Sequence, residues 1–196
     1  MAVRPDPLRI GFVTGATPDK WVRHWRDRRR EPLELVPVTE AEQESLVRDG
    51  TLDMALARLP VDRDGLHCVR LYDELPVAVA SIEHVLSAAD EEVSTSDLVD
   101  EQLVRPHASG WTPDAAQLDW PPMSEQDAVE TVAAGTGIVI LPMAVARLHQ
   151  RKDVVHRIVS DLEPSTIALI WRLDRDDDVT QAFVGVTRGR TANTSR

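Results

Sequence analysis

The most chemically suggestive stretch of the chain is Thr14-Gly15-Ala16-Thr17-Pro18, which follows a β-rich apolar run over residues 8–13. A strand, a turn and a helix start in that order leave main-chain N–H groups unpaired at the positive end of a helix dipole, which favours an anion. Thr14 and Thr17 add hydroxyls, and Gly15 permits close approach to the backbone. The plainer reading is a well-capped helix, with Thr17 as N-cap, Pro18 at the first helical position and Asp19 in the first turn. The turn Val38-Thr39-Glu40 is a weaker copy, because Glu40 would repel an anion. Arg58 follows a third, nearly all-apolar run over residues 52–57. An arginine at the carboxyl end of a parallel strand lies where open α/β sheets bind ligands and could hold a carboxylate bidentately. The bland alternative is an exposed arginine paired with Asp62 or Asp64.

Catalytic patterns are poor by comparison. The six histidines (His24, His67, His84, His107, His149, His156) lack metal-ligand spacing. Cys68 and His67 are neighbours in an expected strand, so their side chains point to opposite faces. There is no nucleophile elbow and no Walker loop. The acidic run at 174–178 is broken by Arg175 and lacks the glycine and terminal glutamate of a calcium loop. Gly135-Thr136-Gly137 follows a helix and precedes a strand, the reverse of a phosphate-cradling loop, and reads as a helix end feeding a buried strand. Arg28-Arg29-Arg30 sits at a helix C-terminus, where the dipole favours cations. The chain is therefore expected not to be an enzyme, with no cofactor and no metal. Two coupled carboxylates, or His107 with a partner, would be needed to revive a catalytic reading.

These residues need a frame. Strands are expected at residues 8–13, 33–38 and 52–57, with helices from 18 to about 30 and over 39–49, the second ended by Gly50. That β-α-β-α-β order argues for a parallel sheet with right-handed crossovers. Trp21 and Trp25 lie four apart on one helix face and suit a core. Two further strands fall at 66–71 and 75–81, broken by Tyr72-Asp73-Glu74. Residues 90–97 read as a surface connection with a short helix after Ser96, and 102–105 as a further strand. The pattern dissolves over 106–122, where Trp111 and Trp120 are candidates for a cleft wall. Ser124 and Asp127 resemble a capping box before the apolar stripe Ala128, Val129, Val132 and Ala133. A buried strand at 138–141, a short helix to about His149, strands at 154–160 and 166–171, and a helix from about Asp177 follow. The tail after Arg188 reads as disordered.

The chain has 196 residues, with 22 Lys plus Arg against 33 Asp plus Glu and a formal net charge of −11. One cysteine excludes a disulfide scaffold. The longest mostly apolar stretch, 137–146, is too short to span a bilayer and contains Pro142, and no signal-peptide pattern opens the chain. A cytoplasmic location without membrane contact is the expectation. The acidic balance disfavours a nucleic-acid surface, since phosphate contacts need clustered Lys and Arg.

Taken in order, several of these segments resemble the effector-binding (substrate-binding) domain of LysR-type transcriptional regulators. They are the strand-turn-helix opening, Leu52-Asp53-Met54-Ala55-Leu56, Leu71-Tyr72-Asp73-Glu74-Leu75-Pro76-Val77, Asp97-Leu98, and Val132-Ala133-Ala134-Gly135-Thr136-Gly137-Ile138-Val139-Ile140-Leu141-Pro142. The resemblance implies an α/β fold of the type 2 periplasmic-binding-protein kind, with two α/β lobes and a cleft between them. On that template lobe one is 1–79 with 152–196, and lobe two, shortened, is 80–151. A small-molecule effector, an organic anion, would lie among Thr14, Gly15, Thr17, Thr39, Arg58, Ser109 and Thr136. Family members commonly pair side by side, which implies a homodimer. Their regulators carry an N-terminal winged helix-turn-helix, whereas seven residues precede the first strand here, so no direct nucleic-acid contact is expected from this chain. The family usually has an amphipathic helix where residues 105–124 show none. A dimerisation or protein-interaction module with a degenerate cleft is the alternative.

Overall fold

The computed structural model describes residues 6–105 and 109–189. Its chain order is β1 (Leu8–Phe12), α1 (Asp19–Arg28), β2 (Leu33–Pro37), α2 (Ser45–Arg48), β3 (Met54–Arg58), β4 (Leu66–Glu74), β5 (Pro76–Ser81), β6 (Glu92–Val93), α3 (Glu125–Ala133), β7 (Ile138–Pro142), α4 (Met143–Leu148), β8 (Val154–Val159), β9 (Ser165–Arg172) and α5 (Asp178–Thr187). The chain groups into two α/β units. One holds the described residues up to Asp73 and from Thr166 on, the other Glu74–Ser165.

The first unit is a five-stranded sheet in the order β2-β1-β3-β9-β4. β1 pairs in parallel with both β2 and β3, as the β-α-β-α-β pattern predicts, and β9 enters antiparallel to β3. β3 is buried along its whole length, which accounts for its apolar sequence up to the closing Arg58. Trp21 and Trp25 are core residues, 4 % and 0 % exposed, and Trp25 packs its ring 5.7 Å from that of Phe183 on α5. α5 is capped by Asp177, whose carboxylate accepts the N–H groups of Val179 and Thr180.

The second unit is a four-stranded sheet in the order β6-β8-β5-β7. Alternation along β5 and β7 splits its apolar side chains between two faces. Val77, Val79, Val139 and Leu141 pack with α3 and α4, while Ala78, Ala80, Ile138 and Ile140 pack with Leu86, Leu98 and Leu103. The Ser124–Asp127 capping box at the start of α3 is formed in both directions.

Several boundaries differ from the sequence reading. The expected lobe division at 79/80 and 151/152 is not where the units part. Residues 74–79 and 152–165 group with the second unit, because β5 and β8 are the inner strands of its sheet. β4 runs through Tyr72-Asp73-Glu74 instead of breaking there. The helix expected over 39–49 shrinks to α2, because Glu42 turns back onto Thr39 and Gln43 is drawn onto β3. α1 ends at Arg28, and its N-cap is Pro18, itself in helical dihedrals (φ −72°, ψ −13°), not Thr17. The acidic connection at 90–97 contains an edge strand, β6, that pairs in parallel with β8. Of the strand expected at 102–105 there is a single bridge, Leu103 to Ile138. Residues 109–124 hold no helix or strand. Part of the 106–122 segment, His107 included, and residues 190–196 of the tail lie outside the described residues.

Candidate functional site

Parallel pairing of β1, β2 and β3 puts the three strand ends, and the turns that follow them, on one edge of the first sheet. After β1, Val13 donates its N–H to Leu56 O and Ala16 closes the turn onto Val13 O at 3.1 Å. Gly15 sits at φ +87°, which only glycine adopts without strain and which lets the chain swing from strand into helix. Within the described residues no hydrogen bond takes the N–H of Gly15, Thr17 or Asp19. Thr14 and Thr17 are exposed.

Thr39, after β2, is already engaged. Its hydroxyl donates to Glu42 Oε2 at 2.7 Å and its N–H to the same oxygen at 3.2 Å, while the Glu42 N–H closes the turn onto Thr39 O at 3.1 Å. The hydroxyl first, then the N–H, holds the Glu42 carboxyl below its ordinary value.

Arg58 ends β3, but not as an exposed arginine. Its side chain is 5 % exposed, with Nε 2.9 Å from Glu40 Oε1 and Nη2 donating to Thr14 O at 3.0 Å. Glu40, by contrast, is 43 % exposed. The pairing with Asp62 or Asp64 considered for Arg58 belongs to Arg48 instead, which donates to the carbonyls of both and lies 3.3 Å from the Asp62 carboxylate. Arg58 is further fixed through its backbone. The buried Gln43 amide accepts its N–H at 2.8 Å and donates to its carbonyl at 2.9 Å. Thr14, Gly15, Thr17, Thr39 and Arg58 are thus brought to one edge, and Glu40, Glu42 and Gln43 complete it.

Sequence reasoning missed the last two. The Thr39-x-x-Glu42 spacing was a usable capping signal, whereas nothing in the sequence singles out Gln43. Glu40 was noticed only as a repulsive group, yet it is the ion-pair partner of the arginine thought to bind the anion.

The other two expected residues lie in the second unit. Ser109 donates its hydroxyl to Trp111 O at 3.1 Å, and Thr136 is half-buried between Gly135 (φ +92°) and Gly137 (φ +62°). No hydrogen bond among the described residues joins the two. A Cβ on Gly137 would stand 2.1 Å from Gln102 O, the acceptor for Ile138 N, so this loop is set by its fit against Gln102. Gln102 and Gln117 reciprocally tie the segments around 101–103 and 115–118 through their amides, which orders a stretch where periodicity fails. Trp111 and Trp120 do not share a wall. Trp111 packs with Ile138 and Ile140, and Trp120 on the opposite sheet face with Val139 and Leu141. The Trp120 indole N–H is buried with no hydrogen-bond partner among the described residues.

Cys68 is half-buried, and no group of three or more His, Cys, Asp or Glu among the described residues could hold a metal. No helix among them is long and apolar enough to cross a membrane.

Comparison with known proteins gives these features a family. The profile of the LysR substrate binding domain matches residues 6–192, and the chain belongs to that family. The Hca operon transcriptional activator HcaR of Escherichia coli (strain K12) is 25 % identical over 206 residues, covering 95 % of this chain and 68 % of that protein. Among solved structures, the BenM effector-binding domain with its effector benzoate superposes with a TM-score of 0.75 at 20 % identity, covering 94 % of both chains. A hydrogen-peroxide-bound mutant of Corynebacterium glutamicum OxyR superposes at 0.72 and 21 % identity, covering 94 % of this chain and 68 % of that one. The fold is the two-lobed, type 2 periplasmic-binding-protein-like α/β architecture of these domains.

Proposed function

We propose that this LysR substrate-binding domain is a sensor that holds a small carboxylate-bearing effector against the carboxyl edge of its first sheet. The observation that carries the reading is the convergence of the turn at 14–17, Thr39 and the end of β3 on that edge. The N–H groups of Gly15, Thr17 and Asp19 point to an anionic group, since they lie at the positive end of α1 without internal partners. The organic anion benzoate, bound by BenM, supports the same chemistry here. Arg58 positions the turn through Thr14 O and does not meet the ligand, because Glu40 neutralises it from the exposed side. Ser109 and Thr136 are the further hydroxyl-bearing residues assigned to effector binding. Binding shifts a population between conformations that differ in affinity for the effector. The domain works as a homodimer in the cytoplasm. It acts in transcription regulation, not catalysis, with no direct nucleic-acid contact from this chain.

A thermal-shift screen of aromatic and aliphatic carboxylates tests this. Ligand at about 100 times its dissociation constant adds roughly 2.7 kcal/mol, or about 5–10 °C at 2–4 °C per kcal/mol for a chain of this size. Thr17→Val, which removes a hydroxyl from the turn, is expected to reduce the shift. A flat response across the library, with a stable dimer in light scattering, would overturn the reading in favour of a protein-interaction module.

A further inference from the structure

The charged group that reaches solvent at the carboxyl edge of the first sheet is not the one the sequence pointed to. The guanidinium of Arg58 is buried and turned inward to Thr14 O, while the carboxylate on its outer side, Glu40, keeps 43 % of its side-chain surface exposed. Only one Glu40 oxygen, Oε1, is used by Arg58. Glu42, two residues on, is committed to Thr39, and Gln43 to the backbone of Arg58. A molecule resting on this edge therefore meets a half-free carboxylate beside the N–H groups of the 14–19 turn. An ion pair seen from its carboxylate side presents a hydrogen-bond acceptor with negative potential and repels a second carboxylate placed against it.

We propose that Glu40 is a specificity-determining residue of the effector site, and that it selects ligands carrying an ammonium group alongside their carboxylate. The inference rests on the effector site proposed above and narrows its ligand class from organic anions to amino-acid-like zwitterions. The carboxylate of such a ligand lies toward the turn and its ammonium toward Glu40 Oε2, a charge-assisted contact that a simple carboxylate cannot make. Glu40→Gln keeps an oxygen for Arg58 Nε to donate to, so it removes the charge without removing the strut.

Calorimetric titration of the whole chain with matched pairs tests the assignment: leucine against isocaproate, aspartate against succinate, phenylalanine against hydrocinnamate. At least one amino partner is expected to bind tenfold or more tighter than its des-amino analogue, the size of one hydrogen bond to a charged group. Glu40→Gln, assayed below its melting midpoint and with an unchanged circular dichroism spectrum, is expected to bring that ratio close to one. The ratio on the unmodified protein needs no variant and stands if the substituted chain fails to fold. Des-amino carboxylates binding as tightly as their partners, or a ratio unmoved by Glu40→Gln, would overturn the role of Glu40 and leave the effector site standing. Binding of no carboxylate from either set would remove the effector site and this inference together.

Discussion

Gly135 and Gly137 flank Thr136, and the difference between them can be worked in advance. Both lie at positive φ, +92° and +62°, so an alanine at either meets the left-handed penalty of about 1–2 kcal/mol. Around Gly135 a new methyl finds open space, with no atom within 4 Å. At Gly137 it would stand 2.1 Å from Gln102 O and 2.7 Å from Gln102 Cβ. Restoring even a 3.0 Å contact moves a backbone carbonyl by about 0.9 Å (3.0 less 2.1). That carbonyl accepts the Ile138 N–H at 2.8 Å, beside the return bond from Val104 N to Ile138 O. Overpacking of this kind adds roughly 1–3 kcal/mol, and the loss of a well-made bond about 1 kcal/mol more. Gly135→Ala should therefore cost about 1–2 kcal/mol and Gly137→Ala about 3–6 kcal/mol. Urea denaturation followed by circular dichroism reads each cost as a fall in the free energy of unfolding. Equal destabilisation by the two substitutions would refute the reasoning, since it would mean that backbone conformation alone sets the cost and that the fit against Gln102 contributes nothing.

Gln43→Met keeps the length and burial of the side chain but takes both amide bonds from the Arg58 backbone. At about 1–3 kcal/mol for each buried group left short of a partner, the melting midpoint should fall by roughly 5–15 °C, and a loss under about 1 °C would show that other groups take over. Asp161 accepts both the hydroxyl and the N–H of Thr95, which hold its carboxyl below the ordinary 3.8, the hydroxyl contributing most. A lowered folded-state value stabilises above the unfolded value and is lost as the pH falls through it. The gap in midpoint between the unmodified chain and Asp161→Asn should then be constant from neutral pH down to about 5 and close below about 3.8. A gap that widens on acidification would contradict the bond.

The layout of the first sheet was legible because its strands announce themselves. β3 is buried throughout and reads as an apolar run up to Arg58, and the paired tryptophans of α1 fall on one face because helical spacing puts them there. The ordered family segments carried the rest of the two-lobed fold. Long-range pairings were not legible. β6 is two residues long and acquires its identity only by pairing with β8, more than sixty positions away. The stretch around Gln117 has no hydrophobic period because amide bonds to residues 101–103 hold it, and such bonds leave no mark on periodicity. The expected site fared similarly. Its turns were found from local composition, but the state of Arg58 depends on Glu40 and Gln43, eighteen and fifteen residues upstream.

That dependence has a cause in the sheet itself. The register of β1 against β3 ends at Phe12 and Leu56, so Ala57 and Arg58 run past the strand beside them. A backbone that outruns its neighbour inside a core must find partners for its N–H and carbonyl groups elsewhere. Gln43 supplies them with a side-chain amide, which offers the same donor and acceptor as the missing strand. Once the backbone of Arg58 is held there, its guanidinium lies beside the turn leaving β1, where Thr14 O accepts from it and Glu40 balances its charge. The carboxyl edge of the first unit is thus built by the protein's own side chains before any ligand arrives. A buried cation needs its counter-ion whether or not the site is filled. An arginine at a strand end is open to a ligand only where no nearby carboxylate already meets that need, and here Glu40 does.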